Sequence, residues 1–129
     1  MLARKLGMLR RLLVDLERHR DASLADVEKH HYEVERILEL LATTGSDLMF
    51  HLLKEQGSMA GTLRESFHRA GQEGILPADL AARLEKAAGM RNVLVHLYEE
   101  IDLTIVHQAV GRALDDFSQL LAHLEARLP

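Results

Sequence analysis

The sequence predicts an all-α protein, a bundle of four or five helices, and three observations indicate this class. Leucine and other apolar residues recur at three- and four-residue steps along most of the chain, which is the spacing of a buried helix face. Only two of the 129 residues are proline, and runs of β-branched residues are few. Hydrophobic residues make up 47% of the chain and charged residues 28%, a balance typical of globular proteins. We expect residues 1–129 to form a single domain.

Two helices are predicted in the N-terminal part of the chain. The first ends near Arg20, and its inward-facing residues are Leu2, Leu6, Leu9, Leu13 and Leu16. The second begins with Asp21 or Ser23 as its cap and continues toward Gly57 as one unusually long helix. Its weak point is the stretch TTGS at 43–46, which favours a kink or a short break.

A third helix is predicted after Gly61 because a capping pattern follows this glycine. Thr62 is the expected N-cap, and Glu65, three residues later, completes a capping box. The helix should stop before Gly71 or Gly74, because glycine is the preferred residue just beyond a helix end.

The last two helices are predicted in the C-terminal part of the chain. One opens at Pro77, which suits a first helical turn, and its buried side is formed by Leu80, Leu84, Ala87 and Ala88. The other runs from about Asp102 to Arg127, and its inward residues are Val106, Val110, Leu114, Phe117, Leu121 and Leu124.

Composition and charge exclude several classes of protein. The chain has no cysteine, so disulfides and thiolate metal sites are excluded and a reducing cytoplasm suits it. No apolar run reaches the roughly 18 residues of a membrane span, and we expect neither a membrane segment nor a secretory signal. The net charge is −4, yet residues 1–20 hold six Lys/Arg against two Asp/Glu. This basic first helix is either a phosphate-contacting surface or, more commonly, a solvated face.

A polar cluster lies in AGMRNVLVHLYEEID, residues 88–102. On a helix the apolar residues of this stretch share one arc of about 100°, and they are Met90, Val93, Leu94, Leu97 and Ile101. Arg91, Tyr98 and Asp102 form a stripe on the opposite side, and Asn92 and His96 lie one turn apart beside it. Arginine binds phosphate in a bidentate manner and histidine titrates near neutral pH, so a cleft lined by these groups would suit a phosphate diester.

The stretch RNVLVHLY, with Arg91, Asn92, His96 and Tyr98, resembles the signature of the HEPN superfamily, and the tyrosine makes it similar to the HepT-like branch. The similarity extends over residues 65–102 and covers about 24–125. The resemblance implies a homodimeric HEPN-type helical bundle that cuts RNA without a metal ion or other cofactor. It also implies a partner, an MNT-type nucleotidyltransferase antitoxin, and assemblies larger than a dimer stay open.

The resemblance assigns a role to each residue of the motif. His96 would act as general base or acid on the ribose 2′-hydroxyl, Arg91 would hold the phosphate and Asn92 would orient the reacting groups. Tyr98 would accept AMP from the antitoxin, which places an anion beside Arg91 and excludes substrate. Asp102 is a further candidate for the lining of the cleft.

Two other groups of side chains have spacings that could serve the same cleft or a metal site. Asp47 and His51 lie four residues apart and are expected to border the cleft as a hydrogen-bonded dyad. A second set has carboxylate–histidine spacing on one helix face, namely Glu28, His31, Glu35 and Glu39, and we interpret it as a solvated face because a metal site needs ligands from a second helix.

Three functions are compatible with these features. The first is a metal-independent endoribonuclease toxin that uses Arg91 and His96. The second is a non-catalytic HEPN subunit that positions substrate or nucleotide for a separate nucleotidyltransferase, in which His96 would be dispensable. The third is a purely structural bundle, which leaves the polar arc unexplained. A dimer is expected under the first, because Arg91 and His96 are separated by about 140° around one helix and a second protomer would complete the set.

Overall fold

The computed structural model describes residues 2–96 and 103–127, and it describes the side chains in both ranges except those of residues 92–96. The described residues form six helices and no strand. The helices are α1 (Leu2–Glu17), α2 (Leu24–Lys29), α3 (His31–Glu55), α4 (Leu63–Gln72), α5 (Ala78–His96) and α6 (Leu103–Arg127). The predicted all-α bundle is confirmed, with one more helix than the sequence pattern indicated. None of the described helices is both long and apolar enough to cross a membrane.

Helix α3 lies at the centre of the described bundle, where it packs against each of the other five helices. The inward leucines predicted for α1 are buried, apart from Leu2, which packs at the edge of the core. The largest fully buried side chains include Phe67, Phe117, Leu41, Leu48, Met49 and Leu84, which come from α3, α4, α5 and α6. Burial of these apolar surfaces supplies most of the driving force for the fold.

The predicted helix boundaries are confirmed where a side chain caps the backbone. Ser23 and Asp26 form a reciprocal capping box at the start of α2. The hydroxyl of Thr62 accepts a hydrogen bond from the backbone N–H of Glu65, as predicted, but the Glu65 carboxylate accepts from the N–H of Gly61 instead of Thr62. Gly74 has φ +76°, which explains why α4 ends just before it.

The single long helix predicted from Asp21 or Ser23 to Gly57 is wrong, because the chain breaks at His30. This residue has φ −114° and ψ 23°, and it is both the C-cap of α2 and the N-cap of α3. The break lets the short helix α2 pack against α6 as well as α3. Val27 and Val34 are buried on either side of it with a spacing of seven residues. An uninterrupted helix has the same spacing, so periodicity could not reveal the break.

The short break predicted as one alternative at 43–46 is wrong, since α3 is continuous through TTGS. A Cβ atom built on Gly45 would lie 3.2 Å from side-chain atoms of Phe67, Phe117 and Leu120. The close approach of α4 and α6 to α3 therefore favours a small residue at this position. The hydroxyl of Thr43 donates to the carbonyl oxygen of Glu39 at 3.0 Å, so it is satisfied within the helix.

Candidate active site

The register of α5 is set by its buried residues and determines where the motif lies. Leu80, Leu84 and Ala88 are buried, as predicted, whereas Ala87 is half-buried. The helix continues through His96, so Arg91 and His96 are on one helix. Their Cα atoms are separated by about 7.5 Å along the axis and about 140° around it, from standard helix geometry.

Only some of the predicted site residues lie in the part of the chain that the structure describes. Arg91 is described fully, and Met90 before it packs against the core, as the helical arc predicted. Asn92 and His96 are placed only by their helical backbone, and their side chains lie outside the described part. Tyr98 and Asp102 lie outside the described residues altogether, as do Leu97 and Ile101 of the predicted inward arc. The roles given to these residues therefore remain predictions.

Arg91 lies half-buried at a cavity of about 560 Å³ between α5 and α6. Its Nε atom is buried and has no hydrogen-bond partner among the described residues. Burying a guanidinium N–H without a partner costs free energy, so such a group is a natural place for an anion to bind. Arginine is also the side chain best suited to hold a phosphate through two parallel hydrogen bonds.

The same cavity is lined by further charged residues that the motif-based prediction did not include. Arg83 and Lys86 come from α5, and Arg112 comes from α6. Arg83, Ala87 and Arg91 follow one another at four-residue steps, so extending the Arg91 stripe two turns toward the N-terminus would have found Arg83. Arg112 has no such signal, because only the packing of α6 brings it near.

The predicted dyad of Asp47 and His51 does not form. Oδ2 of Asp47 lies 3.0 Å from Nζ of Lys5 in α1, and Nε2 of His51 lies 3.2 Å from Oε1 of Glu55 one turn further along α3. Each side chain therefore has another partner, and neither lines the cavity that contains Arg91. Whether they border a cleft formed with another chain remains a prediction.

The carboxylate–histidine set on α3 and its neighbour α2 is only partly a solvated face. Glu35 is buried and its Oε2 lies 2.8 Å from Nδ1 of His31, whereas Glu28 is exposed and Glu39 pairs with Arg36. The prediction of a solvated face is wrong for Glu35. Among the side chains of residues 2–91 and 103–127, no three histidines or carboxylates come together in a group that could hold a metal ion.

Two known nucleases are similar to this chain in sequence. The chain is 29% identical over 128 residues to a tRNA nuclease HepT from Aphanizomenon flos-aquae, a match that covers 96% of this chain and 87% of the relative. It is 32% identical over 81 residues to an mRNA nuclease HepT from Shewanella oneidensis, covering 62% of this chain and 61% of the relative.

The fold is likewise similar to solved structures. A tri-AMPylated Shewanella oneidensis HEPN toxin in complex with an MNT antitoxin superposes with a TM-score of 0.87 and 25% identity, and the match covers 98% of this chain and 97% of that one. A toxin–antitoxin crystal structure with AMP-PNP superposes with a TM-score of 0.85 at 23% identity, covering 98% of each chain. The family model described as ribonuclease HepT-like matches residues 6–124. The chain therefore belongs to the ribonuclease HepT-like family.

Proposed function

We propose that this protein is an endoribonuclease and the toxin of a HEPN/MNT toxin–antitoxin pair. The observation that carries the proposal is the Arg91 guanidinium, whose buried Nε is unpaired among the described residues and which lies at a basic cavity five residues before His96 on the same helix. Relatives that match this chain are named as tRNA and mRNA nucleases. RNA is the proposed substrate and the cytoplasm the proposed site of action.

The proposed reaction is an internal attack within the RNA strand. The 2′-oxygen bonds to the adjacent phosphorus while His96 takes its proton, and the bond from phosphorus to the 5′-oxygen of the next nucleotide breaks. An imidazolium returns a proton to the leaving oxygen, so the products are a 2′,3′-cyclic phosphate and a 5′-hydroxyl. Arg91 stabilises the charge that grows on the phosphate oxygens, and Asn92 orients the reacting groups. The nucleophile belongs to the substrate, so the step needs no metal-activated water.

We expect a homodimer, and the placement of the two residues on α5 supports this expectation. The Cα atoms of Arg91 and His96 are about 140° apart around one helix axis, so the two side chains of one protomer do not easily reach the same phosphate. Two copies of the helix related by a twofold axis could supply Arg91 from one protomer and His96 from the other. We therefore expect two copies of the motif to face each other. One imidazole would then serve as base while the second protonates the leaving group.

The proposed regulation is transfer of AMP to Tyr98 by the MNT antitoxin. The similar solved structure is of a tri-AMPylated HEPN toxin bound to its MNT antitoxin. Seven residues separate Tyr98 from Arg91, so a helix continued over this interval would place them on one face, two turns apart. A phosphate attached to the tyrosine would then pair with the guanidinium that substrate needs.

The test is cleavage of a labelled RNA by the purified, unmodified protein, with product ends analysed by mass spectrometry. We expect 2′,3′-cyclic phosphate ends, no cleavage where the ribose at the cut carries no 2′-hydroxyl, and activity that persists in EDTA. His96→Ala should reduce the rate by about 10²- to 10⁴-fold, the usual contribution of a general acid–base group. The matched control is His123→Ala, which removes an exposed histidine of α6.

Two results would contradict the proposal. One is an unmodified protein that neither cleaves RNA nor slows growth when it is expressed. The other is a His96→Ala variant that slows growth as much as the parent protein does. Such a result would indicate a non-catalytic subunit that positions a nucleotide for another enzyme.

A further inference from the structure

The cavity between α5 and α6 is large enough to hold more than the single phosphate group that Arg91 would bind. Its volume of about 560 Å³ falls in the range of small-molecule and nucleotide sites. Residues Arg83 to Arg91 along its α5 wall span about 12 Å of helix, given a rise of 1.5 Å per residue. The cavity therefore extends from the candidate catalytic arginine toward the start of α5, with room for a group beside the scissile phosphate.

The described residues that line this cavity carry a net charge of opposite sign to that of the whole chain. Four of them are cationic, Arg83, Lys86, Arg91 and Arg112, and two are carboxylates, Asp115 and Asp116. In the whole chain, 20 acidic residues outnumber 16 basic ones. Such a local excess of positive charge raises the concentration of anions at the cavity.

Three of these four cations, Lys86, Arg91 and Arg112, form no ion pair with a described residue. Arg83 pairs with Asp116 and Asp79, and the charge of Arg112 acts on Asp116 from a longer distance, lowering its pKa against the effect of burial. Phosphate is the ligand chemistry that arginine and lysine share.

Part of the cavity lining is apolar. Leu38 of α3, Met90 of α5 and Phe117 of α6 contribute to it. Apolar and aromatic linings with a few convergent polar groups are typical of small-molecule sites. A phosphate on the cations and a nucleobase against these apolar residues would use both parts of the lining.

We propose that the α5–α6 cavity is a nucleotide subsite that holds the nucleotide next to the scissile phosphate of the RNA. This inference rests on the proposed function, because Arg91 connects the cavity to the reacting phosphate. The subsite uses Lys86 and Arg112 for the phosphate and the apolar residues of the lining for the base. Among the described residues of the lining, Gln119 is the one uncharged side chain that could hydrogen-bond to a base edge, so the subsite should accept more than one base.

The first experiment measures binding directly, by calorimetry or NMR titration of the full chain. The probes are adenosine 5′-monophosphate, uridine 5′-monophosphate and inorganic phosphate. We expect both nucleotides to bind more tightly than phosphate. Arg112→Gln should weaken nucleotide binding about tenfold, as expected for loss of one charge-assisted contact. The control Arg11→Gln removes an exposed arginine of α1 outside the cavity lining and should change nothing.

The second experiment measures RNA cleavage by Lys86→Gln and Arg112→Gln. Both residues are exposed and make no ion pair with a described residue, so these variants should fold. We expect KM for RNA to rise several-fold with little change in kcat, because the contact holds substrate before and during reaction alike. A structural defect would lower kcat and thermal stability instead.

The possible results separate the subsite from the nuclease activity. If the parent protein cleaves RNA and both variants keep its KM, the proposal of a subsite is wrong, whereas the proposed nuclease activity is supported. If the parent protein binds mononucleotides through Arg112 but cleaves no RNA, the cavity is a nucleotide site and the proposed activity is wrong. Nucleotides that bind no better than phosphate, or equally well to Arg112→Gln, would overturn the subsite.

Discussion

Arg83 of α5 and Asp116 of α6 join the two helices at the edge of the basic cavity, with 3.0 Å between Nε and Oδ1. The distance is that of a hydrogen bond, but the N–H does not point at the carboxylate, so the contact is an ion pair. Nη1 of Arg83 also lies 3.5 Å from Oδ2 of Asp79, and its Nη2 donates a hydrogen bond of 2.9 Å to Oε1 of Gln119. The Asp116 side chain is only 13% exposed. Burial raises the pKa of Asp116 above the ordinary 3.8, although Arg83 acts in the opposite direction.

This raised pKa predicts a pH dependence of stability. As the pH rises above 3.8, the unfolded chain loses the Asp116 proton before the folded protein does, so the free energy of unfolding falls until the folded group has also ionised. Asp116→Asn should remove that fall. The stability of the parent protein relative to Asp116→Asn, measured by urea unfolding, should therefore decline as the pH rises from below 3.8. A relative stability that increases over this range would mean that the ion pair outweighs burial.

The buried hydroxyls of Ser46 and Ser66 predict unequal effects of two similar mutations. Ser66 donates to the carbonyl oxygen of Leu63 at 2.6 Å, so its single proton is used and Ser46 must be the donor in their 2.7 Å contact. Ser66→Ala leaves the buried Ser46 hydroxyl without an acceptor and should cost about 1–3 kcal/mol. Ser46→Ala leaves only acceptor lone pairs unused and should cost less. Equal losses in chemical denaturation would contradict this direction of the hydrogen bond.

Gly71 is expected to be intolerant of a side chain because α4 and α5 approach closely there. A Cβ atom at this position would lie 2.6 Å from Cβ of Ala81. Gly71→Ala should therefore lower the free energy of unfolding by about 1–3 kcal/mol, despite the better helix propensity of alanine. Gly7→Ala is the control, since that helical glycine of α1 has nothing within 4 Å of its Cβ position. It should stabilise the protein by about 0.5–1 kcal/mol.

Arg91→Lys tests the geometry of phosphate binding separately from its charge. Lysine keeps the positive charge but loses the planar pair of donors. We expect kcat for RNA cleavage to fall by about 10²-fold, comparable with loss of an oxyanion-stabilising donor, while the thermal unfolding temperature changes little. Full activity in this variant would show that a point charge is sufficient.

The proposed modification of Tyr98 is testable by intact mass. Co-expression with an MNT-type nucleotidyltransferase antitoxin should add about 329 Da per AMP, and Tyr98→Phe should prevent the addition at that site. Tyr32, whose side chain is exposed in α3, is the control position for Tyr32→Phe. Mass added equally to the Tyr98→Phe variant would assign the acceptor to another residue.

Much of the fold was predictable from local signals. The helix period located the buried leucines of α1 and α3, and the Thr62 cap marked the start of α4. Of the two glycines predicted to stop α4, Gly74 follows its end, whereas Gly71 lies within the helix. The break at His30 was not predictable, because it leaves the seven-residue spacing of the flanking valines intact. A break was predicted at Gly45 because glycine loosens an isolated helix, whereas here the helix continues and Gly45 lies against Phe67 and Phe117. A sequence pattern cannot distinguish these two uses of a small residue.

The amino-acid order by itself determined the helical class, the register of α5 and the presence of Arg91 and His96 on one helix, because these depend on spacing along the chain. Tertiary structure alone decided which other charges accompany Arg91. Arg112 and Asp116 reach the cavity only through the packing of α6 on α5, and Lys5 neutralises Asp47 only because α1 lies against α3. Electrostatic interaction depends on distance in space, and residues far apart in sequence become neighbours only when the core is formed.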